Sequence, residues 1–159
     1  MKPLHAVQLA VELAQRRRDD AARVLSGALL QQKAAFEQLD QLEAYARETQ
    51  AKWTDRAQVS ASPALMYHHY QFMGKLDQAV LFQTNVIHNH ENQVGRLRQA
   101  LVDADQRLMS FKHVLEARKA VIAQVQNRQE QRQMDELASR MCTQPRRHHG
   151  AEDFVWLSN

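Results

Sequence analysis

Ala57-Gln58-Val59-Ser60-Ala61-Ser62-Pro63 is the stretch on which the fold turns. On either side of it apolar residues recur at alternating strides of three and four; within it the pattern stops. Ser62 suits a helix N-cap, and Pro63 suits the first helical position, where its missing N–H costs nothing. One helix is therefore expected over about residues 3–57, a hinge over 58–62 and a second helix over about 63–142. So short a link favours antiparallel neighbours.

Reading back from the hinge, the first run passes through Leu4, Val7, Val11, Ala14, Arg18, Ala21, Leu25, Ala28, Gln32, Ala35, Leu39, Leu42, Ala46, Thr49 and Trp53. Twelve of these fifteen positions are apolar, and the phase never slips, which marks a sustained coiled-coil seam. Reading forward, the second run starts at Met66 and His69 and continues through Met73, Leu76, Val80, Gln83, Ile87, His90, Val94, Leu97, Leu101, Ala104, Leu108, Phe111, Leu115, Arg118, Ile122 and Val125. Fourteen of its eighteen positions are apolar. A strict seven-residue repeat implies a left-handed supercoil against a partner helix.

The two runs also mesh. Facing layers of an antiparallel pair keep a constant sum of residue numbers. Trp53 with Met66, Leu39 with Val80, Leu25 with Val94, Val11 with Leu108 and Leu4 with Leu115 share one sum. The alternate layers, such as Leu42 with Leu76 and Val7 with Phe111, share the next. In this register Arg18 faces Leu101 and Gln32 faces Ile87, polar seam residues that set register at some cost in stability. The fold class expected is all-α: a long antiparallel two-helix coiled coil, a helical hairpin with helix 2 projecting beyond helix 1. At 1.5 Å per residue, helix 1 is roughly 80 Å long and helix 2 roughly 120 Å. Helix 1 runs out opposite Leu115, and Thr143 to Asn159 is expected to be a flexible tail.

Composition agrees. Four Gly and three Pro leave few turns, and the dominant Ala, Gln, Leu, Arg and Glu are helix formers. Much of the 44% apolar content is Ala, which favours a thin seam over a thick core. A formal net charge of +3 is only mildly basic, as a mixed-charge solvated surface would be. The single Cys142 fits a reducing compartment. Lys2, His5, Gln8 and Glu12 interrupt any signal-like apolar stretch, and no apolar run approaches the ~20 residues needed to cross a bilayer. A cytoplasmic location without direct membrane insertion is expected.

Catalysis and metal binding find little support. His68-His69 and His88 with His90 are one and two residues apart, so on a helix each pair points to different faces and cannot share an ion. His148-His149 has the same adjacent spacing. Neither a Gly-rich phosphate loop nor a nucleophile elbow is present. No enzyme activity, metal or cofactor is expected.

Three features point to partners instead. Ile122 and Val125 carry the stripe past the end of helix 1, and Met134, Leu137, Ala138 and Met141 form a second short stripe; uncovered apolar stripes mark binding faces. The same end is basic, gathering Arg16, Arg17, Arg18, Lys112, Arg118, Lys119, Arg128, Arg132, Arg140, Arg146 and Arg147, with Asp19, Asp20, Glu116, Asp135 and Glu136 among them. Such a patch would complement an acidic surface. Near the hinge, Phe72, Leu76, Ala79 and Gln83 share one flank of helix 2, with Phe82 also off the seam line.

The chain resembles the FliJ family of the bacterial flagellar type III export apparatus. The resemblance rests on Asp19-Asp20-Ala21-Ala22-Arg23, on Tyr70-Gln71-Phe72 with Leu76 and Ala79 downstream, and on Gln133-Met134-Asp135-Glu136-Leu137-Ala138-Ser139-Arg140. It covers about residues 4–142. It implies a fold like the stalk of the rotary ATP synthase gamma subunit, with the terminal end inside the export ATPase hexamer, promoting ring assembly and ATP hydrolysis. Arg16, Arg17, Arg18, Ile122, Val125, Met134, Leu137 and Met141 would serve that contact. It also implies a hinge-side contact with the export gate membrane protein FlhA through Phe72, Leu76, Ala79 and Gln83, where Gln83 stands at a position at which histidine is familiar in relatives. Export chaperones are further implied partners, and peripheral association with the inner-membrane export apparatus follows. The residue physics alone leaves two alternatives open: the equivalent stalk of a virulence injectisome, and a coiled-coil scaffold or nucleic-acid-binding rod.

Overall fold

The computed structural model describes residues 2–143, with side chains from Leu4 onward; the expected tail falls outside them apart from Thr143. Two helices make up the described chain: α1, Lys2–Ala57 (56 residues), and α2, Pro63–Thr143 (81 residues). The fold is an all-α helical hairpin.

The hinge is built as its residues dictate. The Ser62 carbonyl accepts the first helical bond of α2 from the Met66 N–H at 3.0 Å. Its hydroxyl oxygen accepts from the Leu65 N–H at 3.3 Å, so one side chain satisfies a donor the helix start would otherwise leave open. At the end of α1, the Arg56 carbonyl accepts from the N–H groups of Val59 and Ser60 at 3.1 and 3.2 Å, closing the last turn.

The chain divides into two units, Met1–Leu115 and Glu116–Asn159. In the first, all fifteen α1 seam positions from Leu4 to Trp53 are buried or half-buried. Ala14, Ala28 and Ala35 form the α1 share of the core, against Leu76, Ile87, Val94 and Leu108 of α2. At these most buried positions small α1 residues stand against large α2 residues, while half-buried Leu25, Leu39 and Leu42 add bulk from α1 elsewhere along the seam.

Cross-hairpin bonds report the register. Gln83 Nε2 donates to the Ala35 carbonyl at 2.9 Å and to Gln38 Oε1 at 3.1 Å. Ala35 lacks a side chain beyond Cβ, which lets the amide reach a mid-helix carbonyl. Near the hinge, the His69 ring Nε2 lies 3.1 Å from Gln50 Oε1. Toward the other end, Arg18 Nε donates to Asp105 Oδ1 at 2.9 Å. Early residues of α1 thus pair with the 94–115 stretch of α2, as the constant sums require.

Two expected layers differ. Met66 is exposed, and the Trp53 ring stacks on His69 at a centroid distance of 4.3 Å and 8° between planes. A flat imidazole can lie parallel to the indole, whereas Met66, four residues into α2, lies where the hinge opens the pair. Phe111 is also exposed rather than sealed against Val7. It lines a trough with Ala10, Ala14, Ala21 and Ala104. The Phe111 ring therefore lies beside the seam rather than within it.

Candidate functional site

The second unit carries the first candidate surface. Every residue from Glu116 to Thr143 is exposed. Ile122 and Val125, which continue the seam, are 39% and 48% exposed. Met134, Leu137 and Met141 follow at 68%, 54% and 79%. Local polar contacts hold this part of α2 in shape without covering the stripe: Lys119 pairs with Glu116 at 3.0 Å, and the Ser139 hydroxyl donates to the Asp135 carbonyl at 2.9 Å. Methionine suits such a face, because its unbranched side chain adapts to irregular surfaces.

The three consecutive arginines of the first unit divide between roles. Arg16 and Arg17 are exposed. Arg18 is half-buried and bound on two sides, by Asp105 at 2.9 Å and Asp19 at 3.2 Å. The hydrogen bond to Asp105, then that to Asp19, hold its guanidinium above the ordinary range for arginine. Its aliphatic stem fills a seam position while its head reaches the rim. Arg18 therefore ties the hairpin together, and Arg16 and Arg17 are the members of the triplet available to a partner.

The hinge-side flank is divided between core and surface. Leu76 and Gln83 are both buried, because each is also a seam position facing α1, and the Gln83 amide is spent on Ala35 and Gln38. Ala79 is half-buried. Phe72 alone of the four is exposed, its ring set edge-on to Tyr45 with centroids 6.3 Å apart at 84°. The surface around it is wider than the spacing suggested: Leu65, Met66, Tyr67, Tyr70 and Phe82 are all exposed. A sequence signal for this was available, since residues 57–74, between Arg56 and Lys75, contain no Asp, Glu, Lys or Arg. In a chain with 25% charged residues, the uncharged hinge end is rich in exposed aromatics, the composition that partner contact surfaces favour.

Among the described residues, no group of three or more His, Cys, Asp or Glu could hold a metal ion. His69 is engaged by Trp53 and Gln50, and His88 lies 3.8 Å from Glu91. No helix in the described residues is long and apolar enough to cross a membrane.

Comparison with known proteins agrees with this surface-bearing hairpin. The family model described as "Flagellar FliJ protein" matches residues 2–147. No curated protein matches the chain, and no solved structure does. A match across both helices and the hinge settles the family: the chain belongs to the FliJ family, components of flagellar type III protein export.

Proposed function

We propose that this protein is the stalk of the flagellar export ATPase, binding inside the ATPase hexamer, promoting its assembly and ATP hydrolysis, and linking it to the export gate. The observation that carries this reading is the pair of exposed apolar stripes on the second unit, Ile122 with Val125 and Met134 with Leu137 and Met141. Apolar side chains in that number on one helical segment are costly to leave in water and favour a partner that encloses them. Arg16 and Arg17 add charge for an acidic partner surface. The chain has no catalysis of its own on this reading. It acts by binding one conformation of the ring better than another, which is how a non-catalytic partner shifts an equilibrium.

At the hinge end, the uncharged surface centred on Phe72 meets the cytoplasmic part of the export gate protein FlhA. Leu76 and Gln83 support that surface from within the hairpin. Export chaperones bind as additional partners. The protein works on the cytoplasmic side, held peripherally at the inner-membrane export apparatus. The flagellar family match favours this machine over a virulence injectisome.

The test is stimulation of the cognate export ATPase by the purified protein. Ile122→Asp combined with Val125→Asp is expected to abolish stimulation while helicity by circular dichroism stays unchanged, since both residues are exposed. Full stimulation by the double variant would remove the stripe from the mechanism.

A further inference from the structure

We propose that the alanine-floored trough between α1 and α2 in the first unit is a docking site for an amphipathic α-helix with acidic flanks, supplied by a partner protein. This site shares Arg17 with the proposed ring contact, and the peptide-binding test below reads it without the ATPase.

The trough is lined on α1 by Ala10, Leu13, Ala14, Arg17 and Ala21, and on α2 by Ala100, Asp103, Ala104, Arg107 and Phe111. Ala10, Ala14, Ala21 and Ala104 are its buried or half-buried floor, Ala100 lies at its exposed edge, and Leu13 and Phe111 beside it are 50% and 41% exposed. On each helix the lining spans three turns, about 17 Å at 1.5 Å per residue. A trough of that length between two helices, lined mostly by apolar residues, has the form of a seat for a third helix packing against the pair. Small side chains on the floor allow the incoming helix a close approach, and its own larger apolar residues would fill the space that the alanines leave.

The charge at the rim selects the occupant. Arg17 and Arg107 flank the trough from opposite helices. Neither guanidinium has a hydrogen-bond or ion-pair partner among the described residues. The rim carboxylate, Asp103, already accepts from Gln99 Nε2 at 3.0 Å. Two unpaired arginines on facing edges of one apolar trough fit a helix with Glu or Asp on both sides of its stripe. A second copy of this chain fits less well, because a two-fold pairing through the trough would gather four arginines against two carboxylates.

The experiment uses the full chain and two designed helical peptides of about three heptads with the same leucine stripe, one flanked by Glu and one by Lys. Fluorescence anisotropy should show saturable binding of the Glu-flanked peptide and about tenfold weaker binding of the Lys-flanked one. Arg17→Glu with Arg107→Glu should reverse that preference. Ala100→Trp, which fills the trough from its exposed edge, should abolish binding of the Glu-flanked peptide with helicity unchanged. Failure of the Glu-flanked peptide to bind, equal binding of both peptides, an unreversed preference in the double variant, or binding untouched by Ala100→Trp would each overturn the proposal. Self-association of the unaltered protein in analytical ultracentrifugation, lost in Ala100→Trp, would assign the trough to a second copy and overturn it as well.

Discussion

Helix α2 contains two regions with similar heptad patterning and opposite fates. Between His69 and Leu115 its seam residues are buried or half-buried at every position except Phe111, with Val94 and Leu108 only 3% and 5% exposed. From Glu116 to Thr143 no residue is buried at all, although Ile122 and Val125 keep the same stride. The difference teaches that a heptad stripe specifies a face and not its burial. Burial requires a second helix in register, which α1 supplies within the first unit. An exposed apolar stripe is then evidence about binding rather than about the core.

The largest test of that contrast applies one substitution to both regions. Leu108→Ala should destabilise the hairpin by about 2–5 kcal/mol, the range for a buried leucine with its cavity. Leu137→Ala, in the same helix, should fall within about 0.5 kcal/mol, as exposed positions do. Urea denaturation measures both, and equal costs would mean that the second unit has a core of its own.

A smaller effect sharpens the account of the first region. Gln83→Leu should change stability by less than about 1.5 kcal/mol, because the Ala35 carbonyl keeps its place in the α1 helical ladder when the amide is gone. What should be lost is the single cross-hairpin register that the amide marks, read as broadened amide resonances for the residues around Ala35 in NMR spectra. A marked loss of stability with sharp resonances would make Gln83 a packing residue rather than a register residue.

Smaller again is the Arg18–Asp105 pair. It is partly exposed and subject to screening, so a double-mutant cycle should show a favourable coupling at low salt that shrinks toward zero in concentrated salt. A salt-independent coupling would mean that the packing of the Arg18 stem, and not its charge, holds that end of the hairpin.

The smallest effect lies on the α1 surface. The hydrogen bond from Lys52, then its charge, hold the Glu48 carboxyl below the usual range. A depressed carboxylate contributes stability that is present above its unfolded pKa and is lost as pH falls through the lower folded value. The acid-side slope of the thermal midpoint should therefore be slightly shallower in Glu48→Gln. An identical slope would leave this pair without a measurable share.

Much of the fold was legible in the residues before any coordinates. Ser62-Pro63 marks the start of α2, and the two heptad phases pick out the inward face of each helix across more than a hundred residues, because period and capping are local properties of the chain. The stripe beyond Leu115 was legible for the same reason. The hinge-side surface was less so: Leu76 and Gln83 lie on both the seam and the flank, and spacing cannot say which side a shared position serves.

The sequence by itself determined where the chain turns from α1 to α2, that the helices run antiparallel, and which residues form the seam, since each follows from backbone chemistry and a repeat of seven. Only the tertiary structure decided that Gln83 reaches the Ala35 carbonyl, that Trp53 stacks on His69, that Arg18 turns to Asp105, and that Phe111 walls a trough beside Ala10 and Ala14. Those outcomes depend on the size of the residue that happens to lie opposite, and size across a seam is felt only when the two helices come into contact.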